Sequence, residues 1–199
     1  MKLLLATRNR DKVRELKAML AGLPLELISA ADMPGLPEVE EDAETLEGNA
    51  IKKARTLFEL TGIPAMADDT GLEIDALDGA PGVYSSRYSG PDATYRDNVE
   101  KVLRELQNVP EAQRTARFRT VVAFVSETET KTVEGICHGR IAAEPRGSGT
   151  FGYDPIFEVT GTGKTMAEMT LEEKNRISHR GRAMAQFVEF IKHKTETGT

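Results

Sequence analysis

The chain has 199 residues, a length that most often makes one globular unit, or two lobes sharing a core, and that buries roughly 70% of the surface of the unfolded chain. Its 26 basic and 32 acidic residues leave a net charge of −6 at pH 7 with no basic stretch, which argues against a nucleic-acid polymer as partner. At 39% hydrophobic and 29% charged residues the composition is globular rather than disordered or fibrous.

In chain order, Lys2 to Thr7 reads as a short buried strand, followed by a helix marked by Val13, Leu16, Leu20 and Leu23 at helical spacing. Leu25 to Ser29 is a second strand candidate. Pro34, Gly35 and Pro37 then punctuate a loop that carries the acidic run Glu38, Glu40, Glu41, Asp42 and Glu44. A second helix presents Leu46, Ala50, Ala54, Leu57 and Phe58 on its inner face and ends near Gly62 and Pro64. Ala65 to Asp69 and Gly71 to Leu77 read as two extended segments on either side of an Asp-Asp-Thr-Gly junction, and the glycines and prolines from Gly79 to Pro91 as a long loop.

A third helix is marked by Tyr95, Val99, Val102, Leu103 and Leu106. Arg117 to Val125 and Thr130 to Ile141 follow as two strands joined by the polar turn Ser126 to Glu129. Pro145 to Asp154 is a glycine-punctuated loop. Thr170 with Glu173 forms a capping box, and Met184, Phe187, Val188 and Ile191 line the last helix, with a frayed tail from Thr195. No composition break separates two independent domains, so residues 1–199 are read as one domain: a mixed α/β sheet flanked by helices, in two lobes. Cys137 is the only cysteine, which excludes an internal disulfide framework and a multi-cysteine zinc site and suits a reducing compartment. No apolar run approaches the ~20 residues of a membrane span; the expected location is the cytoplasm.

Four places can carry chemistry. Thr7, Asn9 and Lys12 form T-x-N-x-x-K at a strand-to-helix junction, where free N–H groups and the helix dipole favour an anion; Asn9 as a simple cap beside a solvated Lys12 explains them as well. The adjacent acids Asp68 and Asp69, with a glutamate from the acidic run, offer the hard oxygens that Mg²⁺ takes while keeping waters and binding phosphate; a solvated loop is the plainer fate of the run itself. Phe151, Gly152, Tyr153 and Asp154 put two rings on a glycine-rich loop, able either to stack on a planar base or to fill core. Lys174, Ser178, His179, Arg180 and Gly181 place basic groups at a helix break or start, either as donors or as a surface pair. The run Gly161 to Thr165 imitates the end of a phosphate-binding G-x-x-x-x-G-K-[ST] loop, but its first glycine falls at Glu158, and a solvated hairpin explains it better.

Taken together, T-x-N-x-x-K, the segment Ala67-Asp68-Asp69-Thr70-Gly71-Leu72, Phe151-Gly152-Tyr153-Asp154 and Ser178-His179-Arg180-Gly181 resemble the inosine triphosphate pyrophosphatase family of house-cleaning nucleotidases, in particular its bacterial branch. The resemblance runs from Lys2 to Ile191 and includes Glu47-Gly48-Asn49-Ala50, Gly79 to Ser85 and Glu172-Glu173-Lys174. It implies an elongated mixed α/β fold with a central cleft, a homodimer, and Mg²⁺-dependent hydrolysis of ITP, dITP and XTP to the monophosphate and pyrophosphate. By the same resemblance Thr7, Arg8, Asn9, Arg10, Asp11 and Lys12 hold the triphosphate. Asp69 is proton acceptor and metal ligand, Glu40 is the second metal ligand, within a residue or two of Glu38 and Glu41, and Thr70 touches substrate. Phe151, Gly152, Tyr153, Asp154, Lys174, His179 and Arg180 bind the nucleotide, the last two near the 6-oxo edge of the base. Arg8 stands where many relatives have glycine, and Thr70 where serine is commoner. The alternatives are a similarly folded Maf-type pyrophosphatase acting on pyrimidine or modified nucleotides, and a nucleotide sensor without turnover.

Overall fold

A computed structural model describes residues 1–149 and 151–197. Among these, one mixed sheet of seven strands is flanked by helices. Strand β1 (Lys2–Leu5) leads into helix α1 (Arg10–Met19), and β2 (Glu26–Ser29) returns parallel to β1. Helix α2 (Leu46–Thr61) precedes β3 (Ala65–Ile74), which pairs parallel with β1 at Leu4 and Leu5. The short β4 (Pro81–Gly82) pairs antiparallel with the far end of β3. Helix α3 (Tyr95–Glu105) is followed by β5 (Thr115–Val125), β6 (Thr130–Ile141) and β7 (Phe157–Val159), then by helices α4 (Leu171–Ile177) and α5 (His179–Thr197). The sheet order is β2-β1-β3-β5-β6-β7, with β4 beside β3. The four residues between β5 and β6, closed by Ser126 N–H donating to Glu129 O at 2.9 Å, make the expected hairpin, since so short a link joins only antiparallel neighbours.

The chain divides into two compact units. The first holds Met1–Asp69, Thr120–Gly135 and the chain from Arg180 onward; the second holds Thr70–Arg119 and Ile136–His179. The core of the first gathers Leu3 and Leu5 of β1, Leu16 and Leu20 of α1, Met66 of β3, Val122 and Phe124 of β5, and Met184, Phe187 and Ile191 of α5. Of these, Leu16, Leu20, Met184, Phe187 and Ile191 are residues whose spacing marked the first and last helices in the sequence. The second core takes Leu72 and Ile74 from β3, Val99, Val102 and Leu106 along α3, Phe118 from β5, and Tyr153, Ile156 and Phe157. Cys137 is buried in it.

Two expectations are corrected. The Asp-Asp-Thr-Gly junction does not separate two strands: β3 runs unbroken through it, paired with β1 at Ala65 and Met66 and with β4 at Leu72 and Glu73, and neighboured by β5 in the sheet order. Thr195 is not in a frayed tail, since α5 continues to Thr197 and the Thr195 hydroxyl donates to Lys192 O at 2.9 Å; the last two residues lie outside the described part, as does Thr150 of the glycine-punctuated loop. Tyr95, one of the residues that mark α3 in the sequence, opens that helix and is 38% exposed. The imitation P-loop is the hairpin it was read to be. Val159 N–H donates to Lys164 O at 3.0 Å, Glu158 bridges Thr165, and no α-helix follows directly.

Two glycines shape the neighbourhood of the candidate sites. A Cβ at Gly48 would lie 2.9 Å from the Cβ of Ala43, so glycine lets the acidic loop press onto the first turn of α2. Gly147, at φ +89°, would drive a Cβ to 2.4 Å from the backbone of Ala167; only glycine accepts both that conformation and that approach.

Candidate active site

In the first unit the chemistry collects at Asp68 and Asp69 on β3. Both are buried, at 2% and 6% exposure. Asn9 caps α1, its side-chain oxygen accepting from the N–H groups of Asp11 at 3.0 Å and Lys12 at 3.2 Å, and Thr7 Oγ1 accepts from Asn9 N–H at 3.2 Å. The cap thus explains Asn9 and Thr7, but Lys12 is not solvated. One turn into α1, it turns back so that its ammonium lies 3.3 Å from Asp68 Oδ2, with its side chain 18% exposed. Arg10 is exposed, Asp11 pairs with Arg14 at 2.9 Å, and the exposed Arg8 donates to Leu36 O, tying α1 to the start of the acidic loop.

The rest of the cluster comes from α1, α2 and α5. Arg180, near the start of α5, donates to Asp68 Oδ2 at 3.2 Å and to Glu15 Oε2 at 2.6 Å, with 3% of its side chain exposed. Lys53, on the inner face of α2, donates to Asp68 O at 2.7 Å and to Glu41 Oε1 at 2.5 Å, and lies 3.6 Å from Asp69 Oδ1. Lys52 holds Asp42 at 2.5 Å, and Asn49 accepts from Ala43 N–H at 2.9 Å. These ties draw Glu41 down onto α2. The structure therefore brings Glu41, not Glu40, to Lys53 and Asp69; Glu40 is exposed.

Electrostatics separates the two aspartates. Burial opposes ionisation of both. At Asp68 the cations Lys12, Arg180 and Lys53 outweigh it, so this carboxyl stays ionised well below the usual carboxylate range. At Asp69 burial, reinforced by the neighbouring Glu41 charge, prevails over Lys53, Lys12 and Asn49, and the proton affinity rises. Burial lowers Lys12 more than Asp68 restores it. At Lys53 burial also works against the charge, but Asp69, Glu41 and Asp68 overcome it and hold the ammonium above its ordinary value.

The second unit holds the other motif residues. Thr70, half-buried, follows Asp69 on β3. Tyr153 belongs to the core: it is 4% exposed and its hydroxyl donates to Ser85 O at 2.8 Å. Phe151 is half-buried, edge-to-face with Tyr95 at 5.6 Å between ring centroids, and the Lys174 ammonium sits 5.0 Å from its centroid. Lys174 in turn donates to Asp154 Oδ2 at 2.7 Å, both side chains largely buried. Gly152 adopts φ +56° between the two rings of the loop. His179 is 3% exposed and stacks on Phe118 at 4.4 Å and 20°. The neighbours His179 and Arg180 are therefore no surface pair, and they serve different clusters.

Sequence reasoning missed Glu15, Lys53 and Asn49. A signal existed: Glu15 adjoins buried Leu16, while Asn49 and Lys53, spaced i, i+4, lie among Leu46, Ala50, Ala54 and Leu57, where a solvated lysine has no place.

The sheet order and these clusters define a mixed α/β protein with an ionic centre buried at one strand and an aromatic-walled ion pair on a separate loop. The chain matches the Ham1 family over residues 3–190 and belongs to it. It is 54% identical over 185 residues to the dITP/XTP pyrophosphatase of Geobacter sulfurreducens, covering 92% of this chain and 93% of that one. To the dITP/XTP pyrophosphatase of Escherichia coli K12 it is 46% identical over 196 residues, covering 96% and 98%. A HAM1 protein structure from Coxiella burnetii superposes with a TM-score of 0.88 at 40% identity, covering 97% of this chain and 99% of that one.

Proposed function

We propose that the protein hydrolyses the deaminated purine nucleoside triphosphates ITP, dITP and XTP to the nucleoside monophosphate and pyrophosphate, with Mg²⁺ as cofactor, as a cytoplasmic homodimer. One observation carries the reading: adjacent carboxylates at Asp68 and Asp69 whose surroundings push their proton affinities in opposite directions. That is the pattern by which one acid remains an anion while its neighbour accepts a proton. The names of the relatives, dITP/XTP pyrophosphatases, support the substrate class.

The donor set suits Mg²⁺, which binds through one or two carboxylates, keeps several waters and shares phosphate oxygens with the substrate. Asp69 and Glu41 are such carboxylates, and Asp68 Oδ1 is a buried oxygen with no hydrogen-bond partner among the described residues. No group of three or more His, Cys, Asp or Glu able to hold a metal occurs among the described residues. When bound, the ion neutralises phosphate oxygens and polarises the bond to be broken. The remaining work falls to the chain. Asp69 takes a proton from the water that attacks the α-phosphorus, and pyrophosphate leaves. Lys12 and Lys53 bring positive charge to the polyanion, and Asp68, fixed as an anion, holds Lys12 and Arg180 in place.

Base selection belongs to the second unit in this reading. Phe151 supplies a ring for stacking, Lys174 and His179 donors, and Asp154 an acceptor that also steadies Lys174. Donors matched to a 6-oxo group are left unpaired when a 6-amino group arrives, which penalises adenine. Guanine shares the 6-oxo group and must be refused at its 2-amino side. Pyrophosphate release with Mg²⁺ from a panel of ITP, dITP, XTP, ATP, GTP, dTTP and UTP tests the proposal. Preferential turnover of the first three is expected; orthophosphate as the only product, or preference for dTTP and UTP, would overturn it.

A further inference from the structure

Tyr95 stands outside every motif that the resemblance covers, yet it makes a specific contact. It is the first residue of α3, 38% exposed, and its ring meets that of Phe151 at 5.6 Å with 86° between the planes. This is the geometry in which the positive edge of one ring meets the negative face of another, and it is worth more than the area it buries. The Lys174 ammonium lies over the Phe151 ring at 5.0 Å and is itself fixed by Asp154 at 2.7 Å. Phe151 lies on a loop and precedes Gly152 at φ +56°. Lys174 and Tyr95 are two of the side-chain contacts that orient its ring.

From this arrangement we infer that Tyr95 is a positioning residue for nucleobase recognition, holding the Phe151 ring in the plane on which the base stacks. The inference rests on the reading of Phe151 as a base-stacking residue given above. It also explains why a large aromatic residue sits half in water at a helix start that needs none. The capping box of Thr94 and Asp97 is complete without it, with Thr94 N–H donating to Asp97 Oδ2 at 2.8 Å and Asp97 N–H to Thr94 Oγ1 at 3.2 Å. Replacement of Tyr95 therefore leaves the helix start intact.

The test compares the whole protein with Tyr95→Ala and Tyr95→Phe in steady-state hydrolysis of ITP with Mg²⁺, together with the melting temperature of each. Losing an aromatic pair of this kind translates into a KM about three- to ten-fold higher for Tyr95→Ala, with kcat within about two-fold, because stacking holds ground and transition state alike, and with the melting temperature lowered by no more than about 2–4 °C. Tyr95→Phe keeps the ring and restores the KM. An unchanged KM in Tyr95→Ala, a fall in kcat alone, or an equal defect in Tyr95→Phe would overturn the role of Tyr95 while leaving the hydrolase reading untouched. Absence of pyrophosphate release from the unsubstituted protein would instead overturn that reading, and this inference with it.

Discussion

The two units hold their buried charges in different ways. Around Asp68 and Asp69 in the first, the four carboxylates of Glu15, Glu41, Asp68 and Asp69 face the three cations Lys12, Lys53 and Arg180. In the second, Lys174 and Asp154 form one balanced pair beside an aromatic ring. A centre in which these carboxylates outnumber these cations by one is suited to receive a cation and to shift a proton, whereas a carboxylate matched to one ammonium suits orientation and recognition. Substitutions in the first should therefore alter the chemical step, and those in the second the fit of the substrate.

The sharpest way to break this contrast is Asp69→Asn. It keeps the shape and removes the proton acceptor, so kcat for ITP should fall by about 10²–10⁴-fold, with nucleotide binding measured by calorimetry largely retained. A variant that turns over at the normal rate would remove Asp69 from the mechanism.

Next in size is Arg180→Met. Arg180 binds both Glu15 and Asp68, each nearly inaccessible to solvent. Removing one member of such a set strands buried charge at a cost of about 3–5 kcal/mol, read as a lower urea midpoint. A loss below 1 kcal/mol would mean that the centre admits water readily. Lys174→Met probes the counterpart. With side chains 11% and 8% exposed, this pair is nearer to solvent, and losing its charged hydrogen bond should cost about 2 kcal/mol while raising KM for ITP more than it lowers kcat. The opposite split would erase the distinction between the two units.

How legible each region was in the sequence follows from its construction. The aromatic loop and the His-Arg pair are contiguous motifs, visible as letters, and the periodic apolar residues of α1, α2, α3 and α5 predicted those helices. The ionic centre is not contiguous. It joins Glu15, Glu41, Lys53 and Arg180, and the sequence alone does not tell which helical lysine turns inward. Even Lys12 was visible only as a residue that could equally be solvated. The fate of Tyr153 shows the converse: its motif was legible, but only the bond to Ser85 O shows that the ring belongs to the core rather than to a stacking surface. The unbroken β3 was hidden for another reason. Thr70 and Gly71 read as a break, and β4, which pairs just beyond them at Leu72 and Glu73, is a two-residue strand inside what reads as a loop.

The smallest effect concerns a charge group that belongs to neither cluster. In the second unit Glu73 of β3 accepts from Arg117 at 2.6 Å and Arg119 at 2.9 Å, both on the neighbouring β5. Partial burial works against its ionisation, but the two guanidiniums prevail and lower its affinity for a proton. Because the folded protein binds that proton less readily than the unfolded chain, the stabilisation is complete above the ordinary glutamate value of about 4.5 and is lost as pH falls through the lower folded value. Both arginines are more than a third exposed or close to it, so solvent screening limits the gain to about 0.5–1 kcal/mol. Urea titrations of the unsubstituted protein and Glu73→Gln should therefore differ by that amount at pH 7 and converge in acid, once pH has fallen below the lowered folded value. High salt should narrow the pH 7 gap, whereas the Arg180 defect, shielded from solvent, should persist. A gap at Glu73 that survived both acid and salt would show that the side chain acts through packing along β3 and β5 rather than through its charge.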